Sequence, residues 1–442
     1  MLAPHARLLV LLVALAAAWP APSAAVGLLR DAGSEHALDE LARPLFTAAG
    51  LPARRTRVLI VNDMSMNAFV ADRRTVFVHA GLIVRLRTAE ELQAVIAHEI
   101  AHISNGHFAR RRLNMENARR RAMAGLALGV AAGAASGEAG AALGIAAGSY
   151  SSAMNAFLSH TREEEAAADK SGMHYLALAG IDPGAMGDVL SLFEAQAALQ
   201  GGYTSTHPLT RDRLRAVETT AGRLDAAAPP TDPEIAAYWF DRLKAKLSAY
   251  LRSPSYTFRR YDGDNSDAGR IAHAMAHFKN SEMDRAQAIL ADLSEARPDD
   301  PFLPELRGWM HLEAGNPAAA LPHYERAVDL APRQPQILAG HGRALLALDG
   351  PDSARTALGP LEAAYARDRR DPRLLRDLSI AYARTGQTGK ASLATAEGYA
   401  LRGTLEDAEI HARRAADTLP RGSPGWARAQ DILRDAETNE GR

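Results

Sequence analysis

Between residues 28 and 105 the hydrophobic pattern changes period twice. From Leu28 to Leu51 apolar residues fall at helical spacing (Leu38, Leu41, Leu45, Phe46), and Gly50 followed by Pro52 ends the run. Arg57-Val58-Leu59-Ile60-Val61, Asn67-Ala68-Phe69-Val70 and Thr75-Val76-Phe77-Val78-His79 then read as strands, with Asp72-Arg73-Arg74 as a turn. Helical spacing returns at Leu92, Val95, Ile96, Ile100 and Ile103, and no Pro or Gly interrupts Ala89 to Asn105. A small sheet therefore stands immediately before a helix. An exposed edge of it at Asn67, Ala68 and Phe69 would pair with an extended polypeptide through main-chain hydrogen bonds that ignore sequence; a covered, purely structural edge fits the pattern equally.

Further along, Ala122 to Tyr150 is built from Ala, Gly and aliphatic residues with Glu138 as its one charge. Its glycines, three or four apart, favour close helix contact, so a buried hairpin or lid is expected, with peripheral membrane contact as the alternative. Thr161 opens a second strong helix. Pro229-Pro230 and Asp232-Pro233 mark a linker, and Glu234 to Leu251 is amphipathic. After it a repeat emerges: Pro298 and Pro332, Gly308 and Gly342, and Ala286, Ala320 and Ala354 are each spaced by 34 residues. That period, with Trp309, Gly315, Tyr324 and Ala327 around it, is the tetratricopeptide pattern. The register slips after Gly359-Pro360 and resumes at Tyr382 and Tyr399, giving about four expected helix pairs from Asp267 onward. The concave face of such a solenoid binds protein segments.

The chemistry is concentrated in His98-Glu99-Ile100-Ala101-His102. Residues four apart on a helix share a face, so both imidazoles reach one ion, while Glu99 sits where its carboxylate can take a proton from water. This predicts a zinc site with Glu99 as general base. A metzincin would place its third histidine at position 108, which is Phe108, so the third ligand comes from elsewhere and His107 is an outer neighbour of the metal or a surface histidine. The acidic cluster Glu163-Glu164-Glu165 with Asp169 can supply it. Glu165 and Asp169 lie on one face, so one can bind metal while the other orients a histidine; spacing alone leaves Glu163 and Glu164 open.

Composition narrows the class. The chain has 442 residues, enough for two or three domains, and 51 Lys and Arg against 52 Asp and Glu, with no like-charged block that would serve nucleic acid. Leu8 to Trp19 is an apolar run of 12, too short to span a bilayer, followed by Pro20, Pro22 and Ser23-Ala24-Ala25. A signal peptide cut after Ala25 is the expectation, with an uncleaved anchor as the alternative. The absence of cysteine excludes a lipoprotein attachment and suits an exported bacterial protein held by its core alone.

Several of these pieces together resemble the HtpX/CAAX-prenyl-protease family of zinc peptidases, in its periplasmic, β-barrel-assembly-enhancing branch. They are Asn67-Ala68-Phe69, Phe77-Val78-His79-Ala80-Gly81-Leu82-Ile83, His98-Glu99-Ile100-Ala101-His102 and Arg162-Glu163-Glu164-Glu165-Ala166-Ala167-Ala168-Asp169. The resemblance covers about Leu28 to Leu251; His160-Thr161 departs from it at the helix entry. It implies Glu165 as the ligand and Asp169 as its companion. Thr206-His207-Pro208 with Arg213 matches a further element near the metal, where His207 would either donate to the tetrahedral intermediate or occupy the open zinc position and keep the enzyme latent.

The expected molecule is mainly α: a signal peptide (1–25), an α+β gluzincin-type zinc metalloprotease domain with a small sheet (26–265), and an α-solenoid of tetratricopeptide repeats (266–442). One Zn2+ per chain would be held by His98, His102 and Glu165. The resemblance implies periplasmic cleavage of misassembled outer-membrane proteins and partners in their assembly machinery. A chaperone or adaptor with a latent site, and a membrane-attached peptidase, are the competing readings.

Overall fold

The computed structural model describes residues 27–53, 55–107, 161–197, 207–224, 232–348 and 350–440. The expected signal peptide at 1–25, the small-residue segment at 122–150 and the loop 201–206 lie outside the described residues.

Four strands form one sheet in the order β1-β2-β4-β3: β1 (Leu28–Leu29), β2 (Arg57–Val61), β3 (Ala68–Val70) and β4 (Thr75–His79). β2 and β4 run parallel, with Arg57 opposite Thr75 and Val61 opposite His79, while β3 lies antiparallel on β4. The Asp72 turn is fixed by its carboxylate, which accepts from Arg74 N at 2.6 Å and Thr75 Oγ1 at 3.0 Å.

The expected helix from Leu28 begins instead at Ala32 and runs to Ala48. Asp31 is the reason. Its backbone is extended and its side chain accepts from Ser34 N at 2.7 Å, so the residues before it stay extended and pair with β2. At the far end Gly50 takes φ of +65°, the left-handed stop read from the sequence. After β4 the chain turns directly into a short helix at Ala80–Ile83. A Cβ on Gly81 would lie 2.0 Å from the Met64 carbonyl oxygen, so only glycine lets that turn seat against the loop leaving β2.

The helix Ala89–Ser104 is the centre of the first core. Thr88 caps it, accepting from Glu91 N, and Leu92, Val95, Ile96 and Ile100 are buried together with Leu38, Leu41 and Leu45 of the first helix. Each such aliphatic side chain contributes about 1.5–3 kcal/mol on burial. The helix carrying the two histidines is thus held on its apolar sides and cannot easily roll.

Helix Pro233–Leu251 belongs to two cores at once. Phe240, Leu243 and Leu247 pack in the first, whereas Ala245 and Ala249 pack against Ile271, Met275 and Leu290. Beyond it helices follow in hairpins: Asp267–Lys279 with Met283–Ala296, Phe302–Glu313 with Pro317–Leu330, Pro335–Leu346 with Ser353–Arg367, Pro372–Arg384 with Thr388–Leu401, and Leu405–Thr418 with Pro424–Glu440. That makes five pairs rather than about four. Gly359-Pro360 ends no helix; Pro360 lies inside Ser353–Arg367. Small residues at the crossings do what the repeat implied. A Cβ on Gly308 would come within 2.9 Å of the Tyr324 ring, and one on Gly342 within 2.6 Å of Leu361. The array is tied back to the first core by ion pairs: Asp368 accepts from Arg30 at 2.5 Å and from Arg57 at 3.2 Å.

Candidate metal centre

Three elements converge on one point. The helix Ala89–Ser104 contributes His98 and His102. The helix Arg162–Leu178, opened by a reciprocal capping box between Thr161 and Glu164, contributes Glu165 and Asp169. The segment entering helix Arg211–Ala221 contributes His207, with Thr210 capping that helix by accepting from Arg213 N. Gly172 sets how closely the first two helices cross. A Cβ there would sit 3.3 Å from the Ala97 and His98 backbone, so a larger residue would push Glu165 and Asp169 away from His98.

The donor atoms of His98, His102, Glu165 and His207 all lie within 4.8 Å of one another, and all four residues are buried. His98 Nε2 is 3.0 Å from His102 Nε2 and 3.5 Å from Glu165 Oε2. His102 Nε2 is 3.3 Å from Glu165 Oε1, and His207 Nδ1 is 3.0 Å from that oxygen and 3.4 Å from His98 Nε2. Bonds of about 2.0–2.1 Å to an ion would place tetrahedral donor atoms about 3.3–3.4 Å apart. The donor set fits a small divalent metal in both spacing and chemistry.

Outer contacts fix each donor. His98 Nδ1 lies 2.9 Å from Asp169 Oδ1, a contact that leaves Nε2 toward the shared point. His102 Nδ1 lies 2.9 Å from His107 Nδ1, and His107 is buried rather than at the surface. Arg213 holds both carboxylates: Nη1 reaches Glu165 Oε2 at 2.6 Å, while Nε and Nη2 reach Asp169 at 2.5 and 2.9 Å. Glu99 is fully buried, with Oε1 3.4 Å from His207 Nε2. Of the acidic cluster Glu165 alone is buried; Glu163 is exposed and Glu164 is spent on the cap.

Electrostatics point the same way. Burial would lower the His98 imidazole, but Glu165 and Asp169 outweigh it and raise it to about 9. Burial, with His98 beside it, drives His102 well below its ordinary value. Burial would raise Glu165, yet His207 and His98 hold it well below the usual carboxylate range, and Asp169 is kept low against burial by Arg213 and His98. Two buried carboxylates held ionised against their burial mark a place where a cation is favoured.

The sequence brought His98, Glu99, His102, Glu165, Asp169 and His207 into view, and the fold brings all six together. Asn67, Ala68 and Phe69 stand elsewhere, at or beside β3, the terminal strand on the side of the sheet away from β1; β3 packs against the metal helix. The role of Arg213 was not visible in the sequence, although a buried carboxylate pair requires a counter-charge from somewhere. Gly172 gave no signal beyond a glycine inside a helix.

Residues 33–221 match the sequence profile of peptidase family M48. The chain is 27% identical over 297 residues to a putative beta-barrel assembly-enhancing protease of Vibrio cholerae, covering 60% of this chain and 56% of that protein. It is 26% identical over 363 residues to the beta-barrel assembly-enhancing protease of Yersinia pestis, covering 79% and 72%, and 24% over 376 residues to that of Escherichia coli, covering 84% and 76%. The chain thus spans little more than half the length of the Vibrio relative.

Proposed function

We propose, from the match of residues 33–221 to peptidase family M48, that the protein is a zinc-dependent endopeptidase of the bacterial periplasm whose helical repeats recruit what it cleaves. The observation that carries this reading is the convergence of His98, His102 and Glu165 beside Glu99, buried and at tetrahedral spacing. Zinc bound there would acidify water and polarise the scissile carbonyl. Glu99 takes the proton from the attacking water and returns it to the leaving amine. Asp169 keeps His98 in the tautomer that offers Nε2, and Arg213 keeps Glu165 aimed. A substrate strand pairs along Asn67, Ala68 and Phe69, beside the metal helix.

His207 has its Nδ1 at the fourth corner of the donor set, 3.4 Å from His98 Nε2 and 3.0 Å from Glu165. That position favours a site closed at rest, with His207 withdrawing when substrate enters. It also gives weight to a second reading, a chaperone or adaptor whose protease is seldom active. The names of the relatives support outer-membrane proteins as substrates and their assembly machinery as the partner of residues 266–442. Export by residues 1–25 is part of the same proposal; among the described residues no helix is long and apolar enough to cross a membrane. The deciding experiment is Glu99→Gln, which keeps zinc and fold while abolishing cleavage. If cells carrying it handle misassembled outer-membrane proteins as wild type does, the adaptor reading replaces the enzyme.

A further inference from the structure

The sheet has two ends, and only β3 faces the metal helix. At the other end β1 borders a chamber of about 1580 Å³ enclosed between Gly27–Ala32, helix Pro233–Leu251 and the inner helices of the solenoid. The register shows which main-chain groups of β1 face this chamber. Gly27 O accepts from Asn62 N at 2.8 Å, and Leu28 stands opposite Val61 and Leu29 opposite Ile60. In an antiparallel pair, hydrogen-bonded and non-hydrogen-bonded positions alternate. The N–H and C=O of Leu28 therefore point away from β2, and neither has a partner among the described residues.

The chamber wall supplies side-chain features that suit a strand laid on this edge. Tyr250 and Leu401 line it and are each 43% exposed, unusual for large apolar residues. Tyr250 and Phe278 both pack on Trp309, at 6.5 and 5.3 Å between ring centres. One helical turn before Trp309 stands Glu305. Its Oε2 and the Oε1 of Gln336, which lines the same chamber, are buried acceptors with no hydrogen-bond partner among the described residues. Lys246 does not serve Glu305: it lies 3.9 Å away and is committed to Asp31 at 2.5 Å. The nearby Arg343 is likewise spent, on Asp377 at 2.7 Å. Neither cation beside Glu305 is thus bonded to it, while the basic residues Arg373 and Arg402, which also line the chamber, are exposed. A turn of helix separates Glu305 from Trp309 by about 6 Å, close to the ~6.8 Å between side chains two apart on one face of a strand.

We infer that this chamber is a second polypeptide site, where an extended segment adds to β1 and places a Lys or Arg against Glu305 and Gln336 and a large apolar residue, two positions along, against Tyr250 and Trp309. The same sheet then holds a polypeptide at β1 and presents another stretch to the metal at β3. The choice of a polypeptide as occupant rests on the endopeptidase reading, but the binding itself needs neither zinc nor cleavage.

The test uses full-length Glu99→Gln protein and a fluorescein-labelled ten-residue peptide alternating Thr with Leu and Lys, followed by fluorescence anisotropy. Leu28→Pro removes only the outward N–H, since β2 takes no bond from that residue. It should weaken binding about tenfold, the effect of one main-chain hydrogen bond, as should N-methylation of the peptide on its edge-facing amides. Replacing Lys by norleucine should weaken it further. Zinc content and thermal unfolding of Leu28→Pro are measured alongside to establish that the fold is retained. Binding indifferent to Leu28→Pro and to N-methylation, no binding at all, or binding only after removal of the residues preceding Gly27 (which would make the chain's own N-terminus the occupant) would each overturn the inference. None of these outcomes bears on whether Glu99 and the metal cleave peptides.

Discussion

Asp169 is the residue whose removal separates holding a ligand from being one. Its carboxylate lies 2.9 Å from His98 Nδ1 and accepts from Arg213 at 2.5 and 2.9 Å. In Asp169→Ala two things fail together. The His98 ring loses what fixes its tautomer and orientation, which typically costs 10–100-fold in metal affinity, or about 1.4–2.7 kcal/mol. Arg213, with a side chain only 5% exposed, loses its two bonds to Asp169 while keeping Glu165 and the Pro208 carbonyl, and would draw the Glu165 carboxylate away from the two imidazoles. Removing one member of a buried ion pair costs about 3–5 kcal/mol of stability. Asp169→Asn retains an oxygen for His98 but turns an amide N–H₂ toward the guanidinium. Zinc affinity should therefore fall in the order wild type, Asn, Ala, whereas both variants lose stability to urea. Chelator competition reads the first and equilibrium denaturation of the metal-free protein the second. An Asp169→Ala protein that binds zinc within threefold of wild type would refute the reasoning, because the contact with His98 would then be idle.

His207→Ala should raise basal hydrolysis of an unfolded protein substrate several-fold without weakening zinc binding more than tenfold, since three donors remain; a fall in rate would assign His207 to the tetrahedral intermediate instead. Glu305 tests the joint between the two cores. Burial, only partly offset by Lys246, raises its carboxyl to about 7 from 4.5. Between those values the folded protein keeps a proton that the unfolded chain releases, so stability falls as pH rises through the window. The difference corresponds to about 3 kcal/mol as an upper bound. Glu305→Gln should accordingly stabilise the protein at pH 8 and leave it nearly unchanged at pH 4.5, as followed by denaturant midpoints; an equal gain at both pH values would contradict the assignment.

How much of this was legible in the sequence depended on how local the determinant is. His98, Glu99 and His102 lie within one helical turn and a half, and the helix that carries them was visible from its own apolar spacing. Glu165 was one of four carboxylate candidates on spacing and became the candidate ligand through resemblance; in the fold it is separated from Glu163 and Glu164 by burial, a property of packing. The clamp by Arg213 spans 44 positions of chain, so although resemblance placed Arg213 near the metal, its bonds to the carboxylates were not readable from spacing. β1 was hidden because two residues are too few to show a period, and only the Asp31 cap divides them from the helix that follows. The fifth helical hairpin was missed for a different reason: Leu405–Thr418 buries just Ala408, Ala412 and Ala415, so it lacks the large residues that marked the earlier repeats.

The central claim, that His98, His102 and Glu165 share one ion, is tested most directly by the zinc content of the purified protein and of its Glu165→Ala variant. One zinc per chain, falling to a small fraction in the variant while its helical content stays intact, is the expected result. A variant that retains its full complement of zinc, or a wild-type protein that takes up none, would contradict it.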